Sequence, residues 1–229
     1  MRVVIDDKLT ENRAQVAQRA LVVGSVLLAV ALVASFTPRY VLPAYAVVIL
    51  GTIVTTWGAR TGSKWLGDLR GDKVLTKVLK GLDNRYRLYS YLLPAEHVLL
   101  SPTSVFALRL QRQEGIISCR GEKWRRPFSL SRVVNLLSEE PLGDPSKRAG
   151  REVADLRKFV ADGLPGVDVP IQPLIVFVNA KAKLDVAKPG IPAMPIGALK
   201  RYLRSAAKDA GISKETYGAL VELFDGQAT

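Results

Sequence analysis

Cationic side chains are dense between residues 109 and 132, where two carboxylates oppose them and Trp124 lies among them. Arginine guanidinium groups bind phosphate oxygens, and an aromatic ring can stack on a base, so the combination is typical of a nucleic-acid-binding surface. Strand alternation could instead divide these charges between two faces, or the cluster could face anionic lipid. The residues expected to bind nucleic acid are Arg112, Arg120, Lys123, Trp124, Arg125 and Arg126, with Arg109 and Arg132 in the same basic cluster.

Nucleophilic chemistry has little support in this sequence, which contains one histidine, His97, and one cysteine, Cys119. The two residues could meet across strands, but a lone cysteine is more often a small buried hydrophobic residue. A single cysteine also excludes a disulfide framework and a zinc site built from cysteines.

The overall charge indicates an anionic partner. The chain of 229 residues has a formal net charge of +12 and a pI near 10.0. An excess of this size is typical of proteins that meet nucleic acid or the anionic surface of a membrane. A generic solubilising surface is the alternative.

Two uncharged apolar runs, residues 20–36 and 41–57, are the elements around which the rest of the chain is organised. At 1.5 Å per residue, either run reaches about 25 Å as a helix, near the short end of what spans a bilayer. Because backbone groups in hydrocarbon must satisfy their own hydrogen bonds, we predict a transmembrane helical hairpin. A hairpin buried in a soluble protein, or a cleaved signal peptide followed by one anchor, would give a similar pattern.

The charges that flank the hairpin predict its orientation. Arg13 and Arg19 lie close before the first run, and Arg39 alone lies in the turn. The cations that follow the second run are Arg60, Lys64, Arg70 and Lys73. The positive-inside rule then predicts a multi-pass protein of the cell membrane with both termini in the cytoplasm. The predicted organisation is a cytoplasmic segment at residues 1–19, the hairpin at 20–57, a juxtamembrane linker at 58–70 and a cytoplasmic domain at 71–229.

The cytoplasmic part alternates between helical and strand patterns. Apolar residues recur at helical spacing in four segments: residues 72–83, 145–162, 196–207 and a last helix capped by Ser213. Short runs between residues 85 and 128 predict antiparallel strands, and residues 171–179 predict a buried central strand. Residues 183–195, which contain three prolines, are predicted to be a loop. This order predicts an α/β domain with a mixed sheet and flanking helices.

Several short motifs occur in a characteristic order along this domain. They are Gly71-Asp72 at a helix start, Glu96-His97 opening a strand, Val105-Phe106-Ala107-Leu108 with Trp124 beyond it, Pro141-Leu142 before a helix, and Val176-Phe177-Val178. The ordered set resembles the nuclease-related domain (NERD) family, whose members have a restriction-endonuclease-like fold. The resemblance covers roughly residues 71–205, the bulk of a typical domain.

The resemblance implies a metal site that this chain departs from. In that fold class, acidic groups on neighbouring strands hold a divalent cation, and a lysine two residues after the second acid helps to position the attacking water. Here the first acid position is Glu96, the second falls on Arg109, and the lysine position is Gln111. Asp72 stands where the family has a glutamate on its first helix. These four residues are remnant candidates, and neither a bound metal nor another cofactor is expected.

The function expected from these observations is a membrane-anchored, non-catalytic module that binds nucleic acid or another partner. One alternative is an active Mg²⁺-dependent nuclease that cuts DNA or RNA and uses Asp72 and Glu96. Another is a scaffold that binds a second membrane protein or anionic lipid. The direction in which Arg109 and Gln111 point relative to Glu96 bears most directly on the choice.

Overall fold

The structure, a computed structural model, describes residues 1–65, 67, 70–127, 141–187, 189–206 and 211–228. The chain divides into two compact units. The sheet unit contains Met1–Asp6, Gly71–Pro127 and Pro141–Thr229, and the hairpin unit contains Asp7–Arg70.

The hairpin unit consists of two long helices, α1 (Asp7–Ala34) and α2 (Val41–Trp65), joined through a short 3₁₀ turn at Pro38–Tyr40. Small residues recur at every seventh position where the helices face each other: Ala17, Gly24 and Ala31 on α1, and Ala44, Gly51 and Gly58 on α2. A Cβ atom on Gly24 would lie 2.7 Å from the backbone nitrogen of Thr55. The two backbones therefore approach each other as closely as membrane helices with small interfacial residues do.

The large apolar residues of the hairpin unit point outward, which is the reverse of a soluble core. Val33, Leu42 and Ile53, for example, are 69%, 83% and 60% exposed. Both helices are long and apolar enough to cross a membrane, and only 17% of each apolar window is buried. This pattern argues against the alternative of a hairpin buried in a soluble protein, because a core helix would bury most of its side chains.

Helix α2 is longer than expected and runs through most of the segment predicted to be a linker. The glycine-rich residues 58–70 were expected to be a linker, but the structure buries Gly58 and Gly62 within α2. A Cβ on Gly58 would lie 2.9 Å from the backbone nitrogen of Leu21. This glycine therefore permits close packing rather than a turn.

The sheet unit is built on a six-stranded mixed sheet, as predicted. Its strands are β1 (Arg2–Ile5), β2 (Arg87–Ser90), β3 (His97–Leu100), β4 (Val105–Gln111), β7 (Ile171–Phe177) and β9 (Ala193–Pro195), in the spatial order β1-β2-β3-β4-β7-β9. Strands β2, β3 and β4 form an antiparallel meander. Strand β1 is parallel to β2, β7 to β4, and β9 to β7.

Helices cover both faces of this sheet. One layer contains α3 (Gly71–Leu79) and α5 (Ile196–Ala206), and the other contains α4 (Pro145–Gly163) and α6 (Lys214–Asp225). Strand alternation sends neighbouring side chains to opposite layers, so Leu88 packs with the first layer and Tyr89 with the second. The predicted helix starts are confirmed: Pro145 opens α4, and the Ser213 hydroxyl accepts a hydrogen bond from the Thr216 N–H at the start of α6.

A second sheet of three strands contains β5 (Gly115–Arg120), β6 (Lys123–Arg125) and β8 (Ala182–Ala187), in the order β6-β5-β8. The prediction of a loop at residues 183–195 is therefore wrong, since most of β8 and all of β9 lie there. The three prolines suggested a continuous loop, but Pro189 and Pro192 lie between the two strands. Pro195 ends β9, which is an edge strand and therefore tolerates a missing N–H donor.

Strand β1 is an element that the sequence reading did not anticipate. Residues 1–19 were expected to be a cytoplasmic segment of mixed charge, helical from Leu9 onward. The short apolar run Val3-Val4-Ile5 instead pairs with β2 from Arg2↔Arg87 to Ile5↔Ser90, and helix α1 begins at Asp7. A four-residue strand is too short to be recognised by periodicity alone.

Candidate functional site

The first candidate site lies where β3 and β4 meet at one end of the six-stranded sheet. The register Val98↔Ala107 places Glu96, just before β3, directly opposite Arg109 on β4. The Arg109 Nη1 donates a hydrogen bond to Glu96 Oε2 at 3.2 Å. The two positions that the NERD resemblance assigns to acidic ligands are therefore neighbours across two strands, and one of them is a cation.

Helix α4 supplies a second carboxylate to the same guanidinium. The Arg109 Nη1 also donates to Glu152 Oε1 at 2.7 Å. The side chains of Glu96, Arg109 and Glu152 are 10%, 14% and 15% exposed. One cation therefore lies between two carboxylates in a largely buried position. We call these three residues the Glu–Arg–Glu cluster.

The sequence analysis did not predict Glu152 as a site residue, although its position in α4 indicates a buried carboxylate. Position 152 follows Ala149 by three residues and precedes Leu156 by four, so it lies on the inward stripe of α4. A carboxylate on an otherwise apolar stripe needs a cationic or hydrogen-bonding partner. Arg109 is that partner.

His97 is completely buried, and although strand alternation directs it to the other side of the sheet from Glu96, its Nε2 lies 3.8 Å from Glu96 Oε1. Its Nδ1 is 3.0 Å from the Ser90 hydroxyl, and its ring meets the Tyr91 ring edge-on with centroids 4.8 Å apart. A Cβ on Gly71 would collide with His97 Nε2. The glycine that opens α3 is therefore required because the helix start packs directly on the imidazole.

The other two remnant candidates, Asp72 and Gln111, are both buried. Asp72 is 1% exposed in the first turn of α3, the helix on the His97 face. Gln111 ends β4, two residues beyond Arg109, and is 3% exposed. Its carbonyl accepts a hydrogen bond from the Val178 N–H, while its Nε2 has no hydrogen-bond partner among the described residues.

These residues do not fit the divalent cation that the resemblance would imply. A guanidinium already lies between the two carboxylates, and its charge would repel a metal ion at that position. Within the described ranges, no group of three or more His, Cys, Asp or Glu residues could hold a metal. The chemistry available to the cluster is an internal ion pair.

The second candidate site is the outer face of the small sheet. The register pairs Arg120 with Lys123 across β5 and β6, and Arg125 with Ser118. Strand β8 adds Lys183, which lies beside Ile116 on the same face. We call Arg120, Lys123, Arg125 and Lys183 the small-sheet cations. Lys183 was missed because its strand was expected to be a loop.

The remaining predicted nucleic-acid-binding residues lie elsewhere. Trp124 faces the interior, where its Nε1 donates to the Ser146 hydroxyl at 2.7 Å and its ring lies 5.9 Å from that of Phe177. Arg126 and Arg112 are half-buried, and Arg126 Nε donates to the Glu114 carbonyl at 2.8 Å. The structure therefore brings together three of the six predicted residues and separates the tryptophan from them. Arg132 lies outside the described residues.

Comparisons with protein-family models, with curated proteins and with solved structures give no match to this chain. The NERD resemblance therefore stays a prediction that rests on the quoted motifs.

Local contacts decide how much charge the small sheet presents. Arg120 makes a two-pronged ion pair with Asp185, at 2.7 and 3.2 Å, and the hydrogen bonds from the guanidinium lower the pKa of that carboxyl. Three of the small-sheet cations, Lys123, Arg125 and Lys183, then remain for a partner. Beneath them Cys119 is buried, and its burial raises the pKa of the thiol.

Proposed function

We propose that this chain is a membrane-anchored protein whose sheet unit has a restriction-endonuclease-like fold and binds nucleic acid without cutting it. The order of a helix, an antiparallel meander, a helix and a parallel strand, given by α3, β2–β4, α4 and β7, supports the proposed fold. The observation that carries the loss of cutting is the hydrogen bonding of Arg109 to both Glu96 and Glu152.

Metal-dependent cleavage needs anionic oxygens that are free to bind Mg²⁺. In the Glu–Arg–Glu cluster each carboxylate gives an oxygen to the guanidinium instead. Charge-assisted hydrogen bonds of this kind are short and strong, and they hold the arginine in place. The cluster therefore stabilises the fold, and we assign nucleic-acid binding to another surface.

That surface is the outer face of the small sheet. Lys123, Arg125 and Lys183 are exposed, and strand alternation turns all three to the same face of the small sheet. Contacts to phosphates carry no sequence information, so binding should be strong at low salt and weakly selective.

The proposed anchoring places both ends of the hairpin on the cytoplasmic side. Strand β1 precedes the hairpin and β2 follows it, and the two strands pair in one sheet. A hairpin that crosses the membrane and returns is consistent with this pairing. The cations that follow α2 favour the cytoplasm as the side on which the sheet unit lies.

Binding can be tested with purified full-length protein in detergent and a labelled DNA duplex. The variant Lys123→Gln/Arg125→Gln removes two small-sheet cations, and Arg157→Gln/Lys158→Gln removes two exposed cations from α4 as the matched control. We expect the first variant to make the slope of log association constant against log salt concentration less negative by about 1.8, and the control to leave the slope unchanged. Negligible binding of the wild-type protein at low salt would refute the proposal.

The same preparation separates binding from cutting. Incubation with DNA or RNA and Mg²⁺ or Mn²⁺ should leave the nucleic acid intact. Metal-dependent cuts that disappear in the variant Glu96→Ala would favour an active nuclease. If neither binding nor cutting is found, a pull-down in detergent tests the remaining alternative, a scaffold for another membrane protein.

A further inference from the structure

The two helical layers of the sheet unit differ sharply in charge. Helices α4 and α6 together carry six cations and six carboxylates. Helices α3 and α5 together carry five cations and one carboxylate, Asp72, which is buried. Of the two helical layers, only the layer of α3 and α5 therefore has an excess of cations.

The cations of this layer point away from the core. Lys73, Lys77 and Lys80 recur at intervals of four and three residues and are exposed, while Leu75 and Leu79 on the other side of α3 are buried. On α5 the cations are Lys200, Arg201 and Arg204, of which the two arginines are exposed. These six residues form what we call the helical cationic face.

A contact between α3 and α5 holds this face together, and few carboxylates oppose its charge. The Lys200 Nζ donates to the Lys80 carbonyl and so ties α5 to the end of α3. The nearby carboxylate of Asp83 forms an ion pair with Arg85, with Nη2 2.6 Å from Oδ2. Among the described residues, neither Arg201 nor Arg204 has an ion-pair partner.

We propose that the helical cationic face docks on the anionic leaflet of the membrane that holds the hairpin. This inference rests on the anchoring proposed above and concerns a different surface from the small-sheet cations. Only residues 66–70 separate the end of α2 from the start of α3, and at full extension they span at most about 20 Å. The covalent tether thus keeps the effective concentration of lipid headgroups near α3 high.

The position of the face favours lipid over nucleic acid. It follows the second apolar helix within a few residues, so the nearest polyanion is the leaflet that the proposed anchor occupies. Tyr202 is the one aromatic residue on the two helices, and it packs against the core. Clustered lysines and arginines suit a planar anionic surface, where each charge contributes separately.

The test uses full-length protein reconstituted in lipid nanodiscs. The variant Ser205→Cys places a fluorescent probe on α5, and Ala154→Cys places the same probe on the exposed side of α4 as the matched control. Wild-type protein, in which Cys119 is buried, gives the labelling background. Lipids with a quencher on the headgroup report proximity, in discs with about 30% anionic lipid or with neutral lipid alone.

We expect quenching at residue 205 in anionic discs, little quenching at residue 154, and loss of the effect in neutral discs or at about 0.5 M salt. The variant Arg201→Gln/Arg204→Gln should weaken docking by roughly 10- to 30-fold at low salt, whereas Arg157→Gln/Lys158→Gln should not. Quenching that is equal at both probe positions, or independent of anionic lipid, would overturn the proposal. A response at residue 205 to duplex DNA but not to lipid would assign the face to nucleic acid and also overturn it. Failure of the chain to enter the discs would instead refute the anchoring.

Discussion

Removal of the guanidinium from the Glu–Arg–Glu cluster should be among the most damaging single changes in the sheet unit. The variant Arg109→Ala leaves two carboxylates, 10% and 15% exposed, facing each other without a cation. Breaking a buried ion pair by removing one partner costs about 3–5 kcal/mol, and the residual exposure here favours the lower end, about 3 kcal/mol. For a unit of this size, that corresponds to a melting temperature lower by about 6–12 °C.

The assay is thermal unfolding of full-length protein in detergent, followed by tryptophan fluorescence, at two pH values. A proton shared by the two carboxyls would relieve their repulsion, so the loss in Arg109→Ala should be smaller at about pH 5 than at about pH 8. The triple variant Glu96→Gln/Arg109→Met/Glu152→Gln removes all three charges and should recover most of the stability. If Arg109→Ala melts within about 1 °C of the exposed control Arg157→Ala at both pH values, the reasoning about this cluster is wrong.

Three further predictions concern buried contacts of the sheet unit. Gly71→Ala should lower the melting temperature because a methyl group would strike the buried imidazole, whereas Gly150→Ala, whose Cβ meets nothing within 4 Å, should stabilise α4 by about 0.5–1 kcal/mol. Asp225→Asn weakens charge-assisted hydrogen bonds that an arginine and a tyrosine of β2 donate at 2.7 and 2.8 Å, and should cost about 1–2 kcal/mol in chemical denaturation, while the exposed Glu222→Gln should cost almost nothing. Burial raises the pKa of Cys119, so its thiolate fraction at pH 7.5 is reduced, and mass spectrometry should show slow alkylation until denaturant is added.

The sequence predicted the architecture well where patterns were long. The two apolar helices were recognised from long uncharged runs, and the amphipathic helices from apolar residues that recur at helical spacing over nine or more residues. The start of α4 at Pro145 and the cap of α6 at Ser213 were also predictable, because each depends on one residue with a specific backbone role.

The short edge elements were not predictable in the same way. Strand β1 has four residues and β9 has three, so neither gives a period, and their pairing is decided by strands far away in the sequence. The same limitation affected the sites. The pairing of Arg109 with Glu96 follows from register, but Glu152 comes from a helix that begins 36 residues after Arg109 on the chain.

The placement of Trp124 shows a further limit of reading charge clusters from sequence. Lys123, Trp124 and Arg125 are consecutive, yet the alternation of β6 turns the tryptophan inward and its neighbours outward. Residues that are consecutive in the sequence are therefore divided between the two faces of a strand. The cations were found by composition, whereas the interior role of the ring required Ser146 and Phe177, which no local pattern connects to it.

The pairing of β1 with β2 has a consequence for how the protein is made. Residues 2–5 are synthesised before both apolar helices, and the strand that completes their hydrogen bonds follows about 80 residues later, after those helices. If only one helix inserted, the two strands would be separated by the bilayer, and β2 would remain an unprotected edge. Under the proposed anchoring, a chain in which only one helix crosses cannot close the sheet, whereas a hairpin that returns to the same side can.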